Sequence, residues 1–307
     1  MKILLLLFLF FVAQSNTQVQ NFEVLNPQVE QGGVAIIRIN NQQLLPACIS
    51  AFSKVFQPNR EHQVFIGIDV TAKIGKEPLY VVECLKSVEL SQEVYEIEIL
   101  PKNFPARNRS AFNATAKWRR ERAIIEDAFN NGGYFEKYFE GNFIRPLDRI
   151  VVDASRTIGD QSSSFGEGHG GVDLITLNPA TRKHNRPVKA TNKGRVALIA
   201  RNFSTEGNMV IIDHGSGIFS IYMHLSSFGK IRDEVVVKGV RRLNARDIQV
   251  NDTIEKNQII GISGQSGNAR RSGPHLHFAI KVRGEDKLND VYVDPLAFID
   301  TMNQYVQ

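Results

Sequence analysis

Seven histidines are present, and six of them fall between residues 169 and 277. Imidazole titrates closest to neutral pH and is the commonest metal ligand among side chains, so this density directs attention to hydrolytic or metal chemistry. His275-Leu276-His277 is the sharpest cluster. Residues two apart in a strand project from one face, so both imidazoles are expected to enter one groove with Leu276 packed beneath them. Pro274 before and Phe278-Ala279-Ile280 after support a strand starting at His275. His169-Gly170-Gly171-Val172-Asp173 adds an imidazole and a carboxylate, a zinc-compatible pair. Glycines at 166, 168, 170 and 171 argue against a helix there, so His169 is expected to end a loop and Asp173 to begin a strand. Two ligands from this stretch and one from the His275–His277 strand make a His₂Asp set with a fourth position open for water. Spacing alone leaves open which of His275 and His277 is the ligand. Tyr222-Met223-His224-Leu225 ends another strand. By the same alternation Tyr222 and His224 share a face, and His224 becomes a third imidazole for positioning water or stabilising charge. His214, at the turn before Gly215, reads as structural; His184 and His62 lie in polar stretches and read as surface residues.

These side chains need a strand-rich scaffold. Val210-Ile211-Ile212 and Phe219 to Met223 flank Gly215-Ser216-Gly217, a hairpin pattern. Ile259 to Ile262 and His277 to Ile280 flank a second Gly-rich connection. Residues from about 22 to 101 form short apolar runs separated by Asn, Pro and Gly, and Tyr95, Ile97 and Ile99 alternate with Glu96 and Glu98. A β-sandwich of roughly 80 residues is expected there. Between the two halves, Trp118, Ile125 and Phe129 share one face of a helix over about 114–130, stopped by Gly132-Gly133. The expected class is mainly β: a leader over 1–19, an N-terminal β-sandwich module over 20–103, a helical linker over 104–142, and a C-terminal antiparallel β domain over 143–303.

Composition narrows the function classes. The 307 residues are 42% hydrophobic and 22% charged with net charge +5, which excludes a disordered chain and a polytopic membrane protein. Met1-Lys2 followed by the apolar run Ile3 to Ala13 reads as a secretory signal peptide, too short to span a bilayer as a helix of about 20 residues would. Export to the periplasm, the envelope or the medium follows. Cys48 and Cys84, the two cysteines, suit one disulfide in an oxidising compartment, the alternative being two buried thiols. A pI near 9.1 favours anionic partners: for an exported chain, wall polymers, acidic glycans or phospholipid head groups rather than nucleic acid. The basic stretch Lys117 to Arg122 reads as a solvated helix face.

Taken in order, H-G-G-V-D, then V-I-I-D-H-G-S-G-I-F-S-I-Y-M-H-L-S, then S-G-P-H-L-H-F-A-I resemble the lysostaphin/LytM-type zinc metallopeptidases, over about residues 143–299. The resemblance implies a LytM-type domain with one Zn²⁺ held by His169, Asp173 and His277, and a catalytic pair His224 and His275. It implies hydrolysis of peptide crosslinks in bacterial peptidoglycan. Rival readings are a noncatalytic wall-binding or amidase-activating protein on the same scaffold, and a peptidoglycan carboxypeptidase. Regulators of the first kind have lost ligands or catalytic histidines, whereas all five positions stand here. Ala154 to Gly159 only loosely echoes the family's S-x-F-G-x-R, and Ser162 to Phe165 replaces a stretch where certain relatives carry a tyrosine. Asn251 and Asn257 stand where the family has glycines, and asparagine tolerates positive φ. An insertion over about 229–249 is expected to be a basic loop. The N-terminal module is expected to bind wall, dock a partner, or cover the groove.

Overall fold

A computed structural model describes residues 22–40, 47–84, 95–104, 115–149, 151–152, 169–177, 184–237, 240–284 and 290–306. The expected leader and the segments 154–159 and 162–165 lie outside the described residues. The chain is mainly β. Among the described residues, no helix is long and apolar enough to cross a membrane.

Eight strands come first: β1 (Phe22–Val24), β2 (Gln28–Glu30), β3 (Val34–Ile39), β4 (Ala47–Ala51), β5 (Lys54–Phe56), β6 (Gln63–Gly67), β7 (Gly75–Glu83) and β8 (Tyr95–Leu100). They make a three-stranded sheet, β1-β3-β6, and a five-stranded sheet, β2-β8-β7-β4-β5. On β8, Ile97 and Ile99 are buried while Glu96 and Glu98 are exposed, as period-2 alternation requires. Ala35, Ile37, Val64 and Ile66 of one sheet share a core with Ile49, Leu79, Val81, Ile97 and Ile99 of the other. Cys48 and Cys84 are joined by a disulfide.

Helix α1 (Ala116–Asn130) starts at Thr115, whose hydroxyl accepts the Trp118 N–H at 3.1 Å, an N-cap bond. Ile125 and Phe129 are buried with Met209, Ile211, Phe219, Ile221 and Ala279. The basic face is not wholly solvated, because Glu121 within it is buried and accepts the Ser204 N–H at 2.9 Å.

The rest comprises β9 (Val172–Ile175), β10 (Pro187–Lys189), β11 (Gly194–Phe203), β12 (Gly207–Asp213), β13 (Ile218–Met223), β14 (Leu225–Phe228), β15 (Lys230–Val237), β16 (Val240–Asp247), β17 (Thr253–Ile254), β18 (Ile259–Ser263), α2 (Ala269–Ser272), β19 (His275–Val282), β20 (Val291–Val293) and α3 (Pro295–Tyr305). The central sheet runs β17-β11-β12-β13-β19-β20, with β9 also paired to β19. Its second layer is the sheet β10-β18-β14. Asn251 and Asn257 have φ of 72° and 70°, so asparagine does supply the left-handed turns. The 229–249 insertion is not a loop: β15 and β16 pair in continuous antiparallel register from Lys230↔Asp247 to Val237↔Val240. β-branched valines on both sides of Lys238-Gly239 are a hairpin signal that the surrounding basic residues obscured.

The two faces of the central sheet have different duties. Val210, Ile212, Tyr222, Leu276, Phe278 and Ile280 enter the main core, together with Phe298 of α3 and Val34, Ile36 and Phe65 of the N-terminal strands. α1 lies on the other face, the one to which His275 and His277 belong. The N-terminal strands are closely seated: a Cβ at Gly67 would stand 3.0 Å from Val291 and 3.2 Å from Val282, Asp294 N–H donates to Gly32 O at 2.7 Å, and Asn59 Nδ2 donates to Ser216 Oγ at 3.0 Å. Among the described residues, then, the module does not cover the groove. It packs against the opposite face of β19.

Candidate metal centre and catalytic groove

β19 sends Leu276 and Phe278 into the core, which turns His275 and His277 to the other face. β9 runs antiparallel along it, with Asp173 opposite His277 and Ile175 opposite His275. Gly171 lets the loop carrying His169 lie directly on β19, since a Cβ there would collide with the Phe278 carbonyl.

His169, Asp173 and His277 converge, with one donor atom from each lying within 4.8 Å of the others. Asp173 Oδ1 is 3.3 Å from His169 Nε2 and 3.0 Å from His277 Nδ1. Ligands about 2.0–2.1 Å from a tetrahedral ion stand about 3.3 Å apart, so the two separations from Asp173 and the N, N, O donor set suit such an ion. This grouping takes His277, while His275 stands to one side with Nε2 3.5 Å from Asp173 Oδ2. Burial works to raise the Asp173 pKa, but hydrogen bonds with His169 and His277 prevail and hold the carboxyl far below the usual range. Burial also lowers the His277 pKa. Both residues thus favour the forms that bind a cation, carboxylate and neutral imidazole.

His224 reaches the groove by a route that alternation does not describe. β13 stops at Met223, and His224 has φ 65°, a left-handed conformation uncommon for a non-glycine residue. Its ring centroid lies 4.7 Å from that of His275. Tyr222 points the opposite way, fully buried in the core, where its hydroxyl accepts the Thr191 N–H at 2.9 Å. The two therefore do not share a face, contrary to the strand pattern. His224 Nδ1 lies 3.0 Å from the Ser266 carbonyl, and His275 Nδ1 lies 2.8 Å from the Gly273 carbonyl. A carbonyl only accepts, so each Nδ1 is the donor in these bonds, which leaves each Nε2 facing the groove. Burial, with repulsion from His277 and His275, lowers the His224 pKa to about 3.

Ser266 and Asn208 had no signal in the sequence. Ser266 Oγ accepts the Asn208 N–H at 2.8 Å and donates to Leu225 O at 2.9 Å. This fixes the carbonyl on which the His224 ring rests. His214 is fully buried, with Nδ1 2.8 Å from Lys193 O and Nε2 2.7 Å from Ser220 Oγ. His184 is half-buried rather than exposed, with Nδ1 3.4 Å from Thr176 Oγ1.

The family model for peptidase family M23 matches residues 167–241. The chain is 29% identical over 187 residues, 57% of its length, to peptidoglycan DD-endopeptidase ShyA of Vibrio cholerae, and 29% identical over 135 residues, 44% of its length, to lysostaphin of Staphylococcus simulans. The matched regions span 36% and 22% of these two relatives. A crystal structure of an M23 peptidase from Pseudomonas aeruginosa shares the fold, at 21% identity and a TM-score of 0.51, over 88% of this chain and 93% of the other. Over residues 167–241 the histidine-bearing half of the chain is similar to peptidase family M23.

Proposed function

We propose that the chain is an exported zinc metalloendopeptidase that hydrolyses peptide crosslinks of bacterial peptidoglycan. The carrying observation is the juxtaposition, in one groove, of the His169–Asp173–His277 group with two imidazoles whose Nδ1 atoms each lie against a backbone carbonyl. The names of the relatives, a peptidoglycan DD-endopeptidase and lysostaphin, supply the substrate class. The same reading makes residues 20–103 a β-sandwich module and 104–142 a linker whose helix docks beside the groove.

Zinc held by His169, Asp173 and His277 would supply a lowered water pKa, toward about 7, and polarisation of the scissile carbonyl. His275 Nε2 takes the proton of the attacking water and passes it to the leaving amine. Asp173 Oδ2, 3.5 Å away, steadies the imidazolium in between. His224 is neutral at rest. It is placed to orient the water by accepting a hydrogen bond or to share in proton transfer, while its fixed Nδ1–H holds the ring in position.

The purified chain is to be incubated with isolated peptidoglycan, beside zinc-stripped protein, His275→Ala and Asp173→Ala, with the fragments analysed and bound metal measured. Loss of crosslinked fragments, abolished by stripping and restored by zinc, is the expected result. His275→Ala should retain metal and lose at least about 100-fold in rate, whereas Asp173→Ala should lose the metal itself. Shortened stem peptides with crosslinks intact would replace the reading with a carboxypeptidase. No turnover with metal bound would replace it with a noncatalytic wall-binding protein.

A further inference from the structure

β9 and β20 share one edge of β19, end to end. β9 pairs with residues 275–278 and β20 with residues 280–282. The chain entering β9 at Val172 therefore has no room further along β19, because Val293 of β20 already stands opposite Ile280. It must rise out of the sheet at Gly170-Gly171, and His169 sits on the part that has left. The surface under this segment is the ring of Tyr292. Tyr292 pairs with Lys281, so it projects from the face of the sheet that carries His275 and His277. A Cβ at Gly170 would lie 3.1, 3.2 and 3.3 Å from Cγ, Cδ1 and Cδ2 of Tyr292. Three nearly equal distances mean that the backbone lies on the face of the ring and not at its edge. The ring is held in turn. The Lys281 ammonium lies 5.3 Å from its centroid, within reach of a cation–π contact, and is tied to Asp290 at 2.9 Å.

Asp173 and His277 are placed by paired strands, whereas His169 stands before β9 begins. Two successive glycines give the backbone next to it wide conformational freedom. Ordering such a segment at the moment an ion binds costs affinity, and a segment already ordered is spared that cost. We infer that Tyr292 is a positioning residue for the metal centre: its ring is the floor on which Gly170 rests, and it holds His169 in ligating position before the ion arrives. This rests on the zinc reading of the site and deepens it. Lys281 and Asp290 keep the floor level, and the same ammonium lies 4.0 Å from the Phe129 ring of α1. Loop, strand and helix thus bear on one another through a single aromatic side chain.

The test measures zinc affinity of the full-length protein by competition with a chelator, a readout independent of turnover, with circular dichroism reporting the fold. Tyr292→Phe keeps the ring and should bind zinc as the unsubstituted protein does. Tyr292→Leu keeps apolar bulk without a flat face and should bind about tenfold more weakly. Gly170 does not have a positive φ, so in Gly170→Ala the new methyl meets the ring without backbone strain. That variant should also weaken zinc binding, but by less once Tyr292→Leu has removed the ring, a non-additive pair. Unaltered affinity in folded Tyr292→Leu, or additive losses in the double variant, overturns the inference and leaves the metal site standing. An equal loss in Tyr292→Phe assigns the effect to the hydroxyl and overturns it too. Should Tyr292→Leu not fold, Gly170→Ala alone decides, and unaltered affinity there overturns the contact. Failure of the unsubstituted protein to bind zinc overturns the metal reading itself.

Discussion

His224 is placed by a backbone conformation that histidine rarely adopts, and its ring is then held by one carbonyl. Ser266 fixes that carbonyl through Asn208 and Leu225. Ser266→Ala should therefore lower kcat about tenfold with KM and bound metal nearly unchanged, as expected for loss of a half-buried hydrogen-bond partner. Equal loss of metal would show that the serine supports the fold and not the ring. A second residue-scale prediction concerns His214, whose burial lowers its pKa to about 4 against about 6.5 in an unfolded chain. Between those values the unfolded chain takes up a proton that the folded one refuses, so stability falls as pH drops from 6.5 toward 4. Urea unfolding should show the wild type losing about 2 to 3 kcal/mol more than His214→Asn between pH 7.5 and 4.5. The His275–His277 face and the His169–Asp173 pair were legible because alternation and residue type report directly on them. The orientation of His224 was not legible. A single positive φ breaks the alternation at that residue, and nothing in Tyr-Met-His-Leu announces it.

Strands and helices were readable where burial is one-sided. β8 alternates cleanly, and α1 presents Ile125 and Phe129 at helical spacing. β19 is buried along its whole length, because the main core closes one face and α1 with the groove walls closes the other, so its partners could not be read from its own residues. Its pairing with β9 joins residues about a hundred positions apart, which no local pattern encodes. The docking of α1 is open to test by Phe129→Ala. Phe129 is fully buried, packs edge-on against Phe219 with centroids 5.2 Å apart, and lies under the Lys281 ammonium at 4.0 Å. Its removal should destabilise the protein by about 3–5 kcal/mol in urea unfolding. A loss below 1 kcal/mol would mean that α1 is a loosely attached linker.

Across the whole molecule, the N-terminal strands and the histidine-bearing sheet share one core through Val34, Ile36, Phe65, Val282, Val293 and Phe298. A chain starting near residue 104 would expose that seat to water, so it should be less stable and more prone to aggregate, with no gain in wall digestion. Calorimetry of the full chain should show one cooperative transition; two resolved transitions would mean that the halves fold independently. The two kinds of imidazole are also secured differently. Paired backbone of β9 and β19 holds Asp173, His275 and His277, whereas His224 stands just past the end of β13 with its ring on the carbonyl at position 266. On the proposed reading, ion retention and the part played by His224 are consequently separable, since different stretches of chain position them. Lengthening the turn at Ser266 by a residue would displace the carbonyl under His224 and leave His169, Asp173 and His277 in place. On the proposed reading, a single small insertion there would leave the ion's donors assembled and remove the histidine beside them.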